Sequence, residues 1–276
     1  MTAEVSVDRV AASLRGLAGT SIAASATLTC LSYVLLLSYD VLALRSAGGR
    51  IPAALAARTG FIASAMSQTL GFGLATGGGV RMRLYGSSNV SAADVLRVTL
   101  VSGLAFWLGL AAVCAIALVV EPQMLAGLTG LPVPVARGIG IAAALLLAGY
   151  VAGRLLFPGS LRLAGFTLTL PDARTSLLQL TLGALDIAAT AGALWVLFPP
   201  VPGSDMGFAG FAGLYAVLTV AGYVSHVPGG LGILEAGLLL VFPSLSADSL
   251  LASVLAFRVI YYVIPFSIAT GLFAMS

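Results

Sequence analysis

The sequence predicts an all-α integral membrane protein of about five full spans plus two re-entrant broken-helix hairpins, arranged as an inverted repeat. Three observations carry that expectation. Of 276 residues, 59% are hydrophobic and only 8% charged, with mean hydropathy +1.08, far from the balance of a soluble domain. Several apolar runs reach the roughly 20 residues that cross a hydrocarbon core. The third is Val227-Pro228-Gly229-Gly230-Leu231-Gly232-Ile233-Leu234-Glu235, a helix-breaking run and a carboxylate set in apolar sequence. Breaks at membrane depth are tolerated only where the freed backbone is buried in protein or lines a wet cavity. An ionisable residue there marks a functional site by default.

The elements follow in order. Residues 1–19 are polar, carry Arg9 and Arg15, and show no cleavable signal pattern. Apolar runs then predict helices over 20–44, 52–72, 91–120, 135–157, 172–198, 207–226 and 247–273. A short helix over 231–242 follows the Pro-Gly-Gly break. Gly, Pro and Ser mark loops at 46–52, 86–91, 121–134, 158–171 and 199–206.

Arg154, Arg162 and Arg174 place the 158–171 loop in the cytoplasm, and Asp205 with no base puts 199–206 outside. Arg45, Arg50, Arg58, Arg81 and Arg83 all prefer the inside, which requires 51–90 to enter and leave by one face. The same reasoning makes 207–243 a hairpin from outside, folded at Pro228, Gly229 and Gly230. The first hairpin is expected to break at Gly77, Gly78 and Gly79.

Each half then reads alike: a span with an acid (Asp40, Asp186), a Gly-rich break, and a Ser/Asp-opened long span (Ser91, Ser246), offset by about 150 residues. The chain is expected to be one membrane domain, 1–276, with repeat halves 20–134 and 158–276. Ser91 and Ser246 are expected helix N-caps.

Composition excludes several function classes. A net charge of +3 from 13 scattered Arg and no Lys does not describe a nucleic-acid surface. Cys30 and Cys114 fall in spans, and one His cannot build a catalytic or metal cluster. No metal, cofactor or catalytic residue is expected.

The polar residues left in lipid are the candidates for substrate binding. Glu235 lies one turn into the helix after the break, whose N-terminal N–H groups favour an anion. It either pairs with a buried Arg, meets a cationic headgroup, carries a proton, or holds a neighbouring helix. In Thr76-Gly77-Gly78-Gly79-Val80-Arg81-Met82-Arg83-Leu84-Tyr85, glycine N–H groups and two Arg on one side of an extended segment would suit a phosphate; the plainer reading is Arg snorkelling. Asp40, near the cytoplasmic end of its span, could pair with Arg45 or Arg58. Arg258 is too deep to stand alone, with Glu235 or Asp186 as partner. Tyr261 and Tyr262 are packing residues or headgroup contacts. His226, at the lip of the break, satisfies a freed carbonyl or shuttles protons. Trp107 and Trp195 read as packing or interfacial anchors, and Gln68, Arg58 and Gln179 as polar residues facing other helices.

Five segments in order carry a resemblance: Leu31-Ser32-Tyr33 with Ser38-Tyr39-Asp40 and Ala43-Leu44; Leu70-Gly71-Phe72 with Thr76–Tyr85; Phe106-Trp107-Leu108-Gly109; Pro228–Glu235; and Arg258-Val259-Ile260-Tyr261-Tyr262-Val263-Ile264-Pro265. Together they resemble the transmembrane flippase region of the lysylphosphatidylglycerol synthase/flippase family, the multiple peptide resistance factors, and their stand-alone relatives. The resemblance implies a module that moves lysyl- or alanyl-phosphatidylglycerol across the bacterial inner membrane and so confers resistance to cationic antimicrobial peptides. It implies Asp40, Arg81, Arg83, Glu235 and Arg258 as pathway residues.

The family pattern has one more helix before 20–44 and a C-terminal aminoacyl-transferase, so this chain is expected to be a truncated module, not an enzyme. Its partners would be the membrane and an anionic or aminoacylated phospholipid, with a homodimer or a synthase partner chain both compatible. Two other classes stay open: a scaffold subunit of a phosphatidylglycerol lysyltransferase, and a small-solute secondary transporter. The latter predicts a closed, water-lined cavity.

Overall fold

The computed structural model describes residues 7–46, 52–71, 73–86, 90–156, 160–163, 166–169, 171–201 and 206–276. Arg50, Phe72 and Asp205 lie outside the described residues. Among the described residues the helices are α1 (Val7–Arg15), α2 (Gly19–Ser46), α3 (Ala53–Leu70), α4 (Gly73–Gly86), α5 (Ala92–Val120), α6 (Pro122–Thr129) and α7 (Val133–Leu156). They continue with α8 (Ala173–Trp195), α9 (Phe208–Ser225), α10 (Ile233–Val241) and α11 (Ala247–Ala274). Among the described residues, six helices are long and apolar enough to cross a membrane: α2 over Gly19–Leu44, then α5, α7, α8, α9 and α11. The expected count of five had treated α9 as one arm of a hairpin. The 158–171 loop carries a two-stranded antiparallel hairpin, β1 (Ser160–Leu163) with β2 (Phe166–Thr169), where only a loop was expected.

Short polar side chains set the helix starts. Ser91 Oγ accepts the Asp94 N–H at 3.1 Å and Ser246 Oγ the Ser249 N–H at 3.2 Å, the two N-caps expected. Asp172 caps α8 on the Thr175 N–H at 2.9 Å, and its bonds to Thr175 hold its carboxyl below the usual range. Glu121, at the end of α5, reaches across to the start of α9 and accepts the Gly207 N–H at 2.8 Å. At the other end of the bundle Arg58 of α3 donates to the Leu272 carbonyl at 3.0 Å, closing the C-terminus of α11.

The bundle centres on α2, α5 and α8, with α3 and α4 packed as one helical hairpin and α9 and α10 as another. α5 also packs on α9, and α11 on α3. α1 lies against α11, tied by Arg9 Nε to Asp248 at 3.1 Å. α7 is almost wholly exposed and joins the two sets of elements from the outside.

α5 and α8 cross where both lack side chains: a Cβ on Gly183 would stand 2.2 Å from the Ala105 carbonyl oxygen, and one on Gly109 2.3 Å from the Gly183 carbonyl carbon. Small residues let membrane helices approach this closely, where apolar burial offers no drive toward association. Gln179 Nε2 then bonds the Val101 carbonyl at 2.9 Å across the same interface, as a bundle-facing polar residue should.

Gly183→Ala must therefore push α8 off α5, costing about 1–3 kcal/mol. Gly138→Ala on α7, where a Cβ meets nothing within 4 Å, should be neutral or slightly stabilising. Thermal unfolding of the two variants in detergent checks the contrast.

Candidate functional site

Two helix breaks meet tip to tip. α3 ends at Gly71, whose φ of +78° suits glycine and whose N–H returns to the Ser67 carbonyl at 3.0 Å. α9 ends at His226, at φ +56° a non-glycine residue in the left-handed region, and Pro228–Gly230 forms one 3-10 turn before α10. A Cβ on Gly71 would stand 3.4 Å from Pro228 Cα, and one on Gly229 3.5 Å from the Thr69 carbonyl oxygen. The tips abut, glycine against backbone.

The freed backbone groups of the second break are taken up by one ion pair. Arg258 Nη1 donates to the Gly229 carbonyl at 2.9 Å and Nη2 to Gly230 at 3.1 Å. The same guanidinium bonds Glu235 through Nε (2.5 Å) and Nη2 (3.0 Å), and Glu235 Oε2 accepts the Gly232 N–H at 2.9 Å. The start of α10, expected to face a substrate anion, is thus filled by the helix's own carboxylate. His226 Nδ1 lies 2.8 Å from the Val224 carbonyl, the carbonyl-satisfying arrangement.

The first hairpin corrects two expectations. Gly77, Gly78 and Gly79 are not a break: they lie within α4, and the chain turns at Gly71. A helix keeps their N–H groups bonded, which lipid demands more strongly than glycine resists. The missing Cβ of Gly77 leaves room for side chains, since one there would stand 2.6 Å from Ser67 Oγ and 3.0 Å from Arg81 Nη1.

Being helical, α4 also sets Arg81 and Arg83 about 200° apart, not on one side. Arg83 is exposed, its Cζ 5.0 Å from the Phe273 ring centroid. Arg81 is buried and grips Asp40 through Nε (2.8 Å) and Nη2 (2.6 Å). Asp40 was expected at the interface beside Arg45 or Arg58. It is instead fully buried, and also accepts from the hydroxyls of Ser102 (2.9 Å) and Tyr85 (3.3 Å).

A third polar group joins the candidate Tyr261 to Asp186, which was expected only as a possible partner of Arg258. Asp186, in the middle of α8, accepts from the hydroxyls of Ser32 (2.5 Å) and Tyr39 (3.0 Å). Thr190 Oγ1 donates to Tyr261 OH at 3.0 Å, and Ser32 Oγ lies 3.1 Å from both oxygens. Tyr261 reaches this point because of Pro265. Proline has no N–H for the carbonyl four residues back; the helix passes through a π turn over Val259–Val263, and Tyr33 OH takes the Tyr261 carbonyl at 3.2 Å.

The spacing of buried Ser25, Thr29, Ser32, Leu36 and Asp40 along α2, in steps of three and four, was the signal for this inward face.

A cavity of about 660 Å³ opens between these groups. Both tips border it (Gly71, Gly229), as do Arg81, Asp186, Tyr261 and Gln68, whose Nε2 is buried without a hydrogen-bond partner. Glu235, Arg258, Asp40, Arg83 and Tyr85 do not border it, whereas His226, Tyr261 and Tyr262 do. Trp107, halfway along α5 and 47% exposed, and Val224, at the end of α9 and 68% exposed, also border it, so the cavity reaches the molecular surface between mid-α5 and the second break.

The profile of the lysylphosphatidylglycerol synthase TM region family matches residues 1–269. The chain is similar to the uncharacterized protein slr0712 of Synechocystis, 36% identical over 95% of this chain and 81% of that protein. It is also similar to the inner membrane protein YbhN of Escherichia coli, 27% identical over 88% of this chain and 76% of the relative.

Removing one partner of a buried ion pair strands the other, at about 3–5 kcal/mol. Asp40→Asn and Arg81→Gln should each cost that much in unfolding experiments. The double variant should cost clearly less than their sum, a coupling that a double-mutant cycle reads directly.

Proposed function

The chain belongs to the lysylphosphatidylglycerol synthase TM region family, and from that premise we propose that it moves an aminoacylated phosphatidylglycerol between the leaflets of the bacterial inner membrane. The observation that carries the reading is a cavity at the meeting point of two helix breaks that opens sideways between mid-α5 and the second break. In a membrane, an opening beside Trp107 and Val224 faces acyl chains, not water. A headgroup can enter there while its tails stay in lipid. A small-solute carrier would instead keep its cavity closed to the side, so this opening favours a lipid over that alternative.

Arg81 supplies the phosphate contact. Two of its nitrogens are committed to Asp40, and Nη1 is turned toward Gly77 and Ser67 on the cavity side. A guanidinium held by a carboxylate on one edge offers its other edge to a phosphate oxygen in fixed orientation. Glu235 and Arg258 serve at one remove, shaping the tip that bounds the cavity. The expected outcome of transport is resistance to cationic antimicrobial peptides.

The two hairpins are read as re-entrant from opposite faces. Their tips touch, so they share one depth, while their bases are held at opposite ends of the bundle, by α11 at Arg58 and by Glu121 at Gly207. The paired contacts α5 with α9 and α11 with α3 fit an inverted repeat of 20–134 and 158–276. Rocking one half against the other about the shared tips would alternate access to the site.

The test is exchange of a fluorescent lysyl-phosphatidylglycerol between leaflets in proteoliposomes. The chain should accelerate exchange. Thr219→Trp, which fills part of the cavity without touching either ion pair, should reduce it at least tenfold. Arg83→Ala, outside the cavity, should leave it within about twofold of the parent. Exchange unaffected by the filled cavity would overturn the assignment.

A further inference from the structure

We propose that Asp186 is the receptor for an organic ammonium group in the cavity. The inference deepens the lipid-transport reading and rests on it only for the identity of the molecule that carries the ammonium.

Asp186 is the sole carboxylate among the described residues that border the cavity. It is 2% exposed, and its hydrogen-bond partners are hydroxyls alone, Ser32 and Tyr39. The basic side chains nearby are committed: Arg81 to Asp40, and Arg258 to Glu235 and two carbonyls. The Asp40–Arg81 pair is neutral as a unit, which leaves Asp186 as the one acid of the described wall bonded to hydroxyls and not to a guanidinium. A carboxylate at that depth calls for a counter-charge, and hydroxyl donors stabilise it only in part.

The rest of the wall suits a cation of low hydration. Tyr261, Tyr262, Tyr223, Phe106 and Trp107 all border the same space. Tyr223 lies against Phe106 and Trp107 at ring-centroid distances of 5.2 and 5.7 Å. A carboxylate facing aromatic rings is the chemistry that holds alkylammonium groups, through charge on one side and ring faces on the other. Arg81 and Asp186 then give the cavity two polar groups of opposite kind, one for phosphate and one for amine. Such a site prefers an aminoacylated lipid to its unmodified parent, because the added amine finds a fixed negative charge and the added bulk an aromatic wall.

Trp107 makes the site observable. The chain has two tryptophans, so Trp195→Phe leaves Trp107 as sole reporter. In maltoside micelles this parent would be titrated with n-octylammonium, octyl phosphate and octanol, with Asp186→Asn beside it. Octylammonium should shift Trp107 emission with an affinity at least tenfold weaker in Asp186→Asn, while octyl phosphate changes less than twofold. Equal octylammonium affinities in the two proteins would overturn the proposal.

If Asp186→Asn does not fold, the parent alone decides. Octylammonium must bind at least tenfold more tightly than octanol, and equality would overturn the assignment. Asp186-dependent octylammonium binding without lysyl-phosphatidylglycerol exchange would uphold the ammonium site and reject the lipid reading. The two ideas therefore fail separately.

Discussion

A helix broken inside a membrane exposes carbonyl and N–H groups that water cannot reach, and everything at the centre of this protein depends on how they are satisfied. At the second break the answer is a charged pair used as a substitute for backbone. The Arg258 guanidinium holds the two carbonyls of Gly229 and Gly230, and the Glu235 carboxylate, held by the same guanidinium, covers the Gly232 N–H. The three interactions are mutually dependent, since either ion without the other would be an uncompensated charge in low dielectric. With the tip fixed, Gly229 lies on the end of α3, and the two tips together border the cavity.

The ionisable residues divide by task. Two pairs, Asp40–Arg81 and Glu235–Arg258, close on themselves and hold helices in place, the first between α2 and α4, the second between α10 and α11. Asp186 stands apart, supported by hydroxyls from α2 and linked through Ser32 and Thr190 to the Tyr261 hydroxyl on α11. Pairs that cancel internally build the walls; an acid bonded to hydroxyls gives the cavity its preference. Arg81 belongs to both groups, fixed by Asp40 on one edge and turned to the cavity on the other.

The spans were legible because composition and length nearly determine a membrane helix, and the Pro228-Gly229-Gly230 break was legible because proline and glycine together leave few alternatives. The first break was misplaced for a physical reason. Three consecutive glycines look like a turn in water, but in lipid an intact helix is the cheapest way to keep N–H groups bonded, and the turn fell instead at the single Gly71. Partners were harder to read than positions. Arg258 was expected to find Glu235 or Asp186 and found Glu235, whereas Asp40 is held by Arg81, because Arg81 lies on the face of α4 turned toward α2. Asp186 was undervalued as a lone acid; its hydroxyl partners come from α2 and are invisible until the helices pack.

The clasps at the bases of the hairpins have a consequence for how the protein is made. Glu121, in the first part of the chain, closes the start of α9, while Arg58, also in the first part, closes the end of α11. Each hairpin therefore has its entry point secured by the opposite half. Until α9 to α11 have been made, α3 and α4 sit in the bilayer with Gly71 facing no Pro228 and with the partners of Arg58 not yet emerged. The early half must wait, sheltered by the insertion machinery or by lipid headgroups, for the late half to arrive. Separately expressed halves would meet the same requirement from the other direction: neither holds both members of either contact without the other.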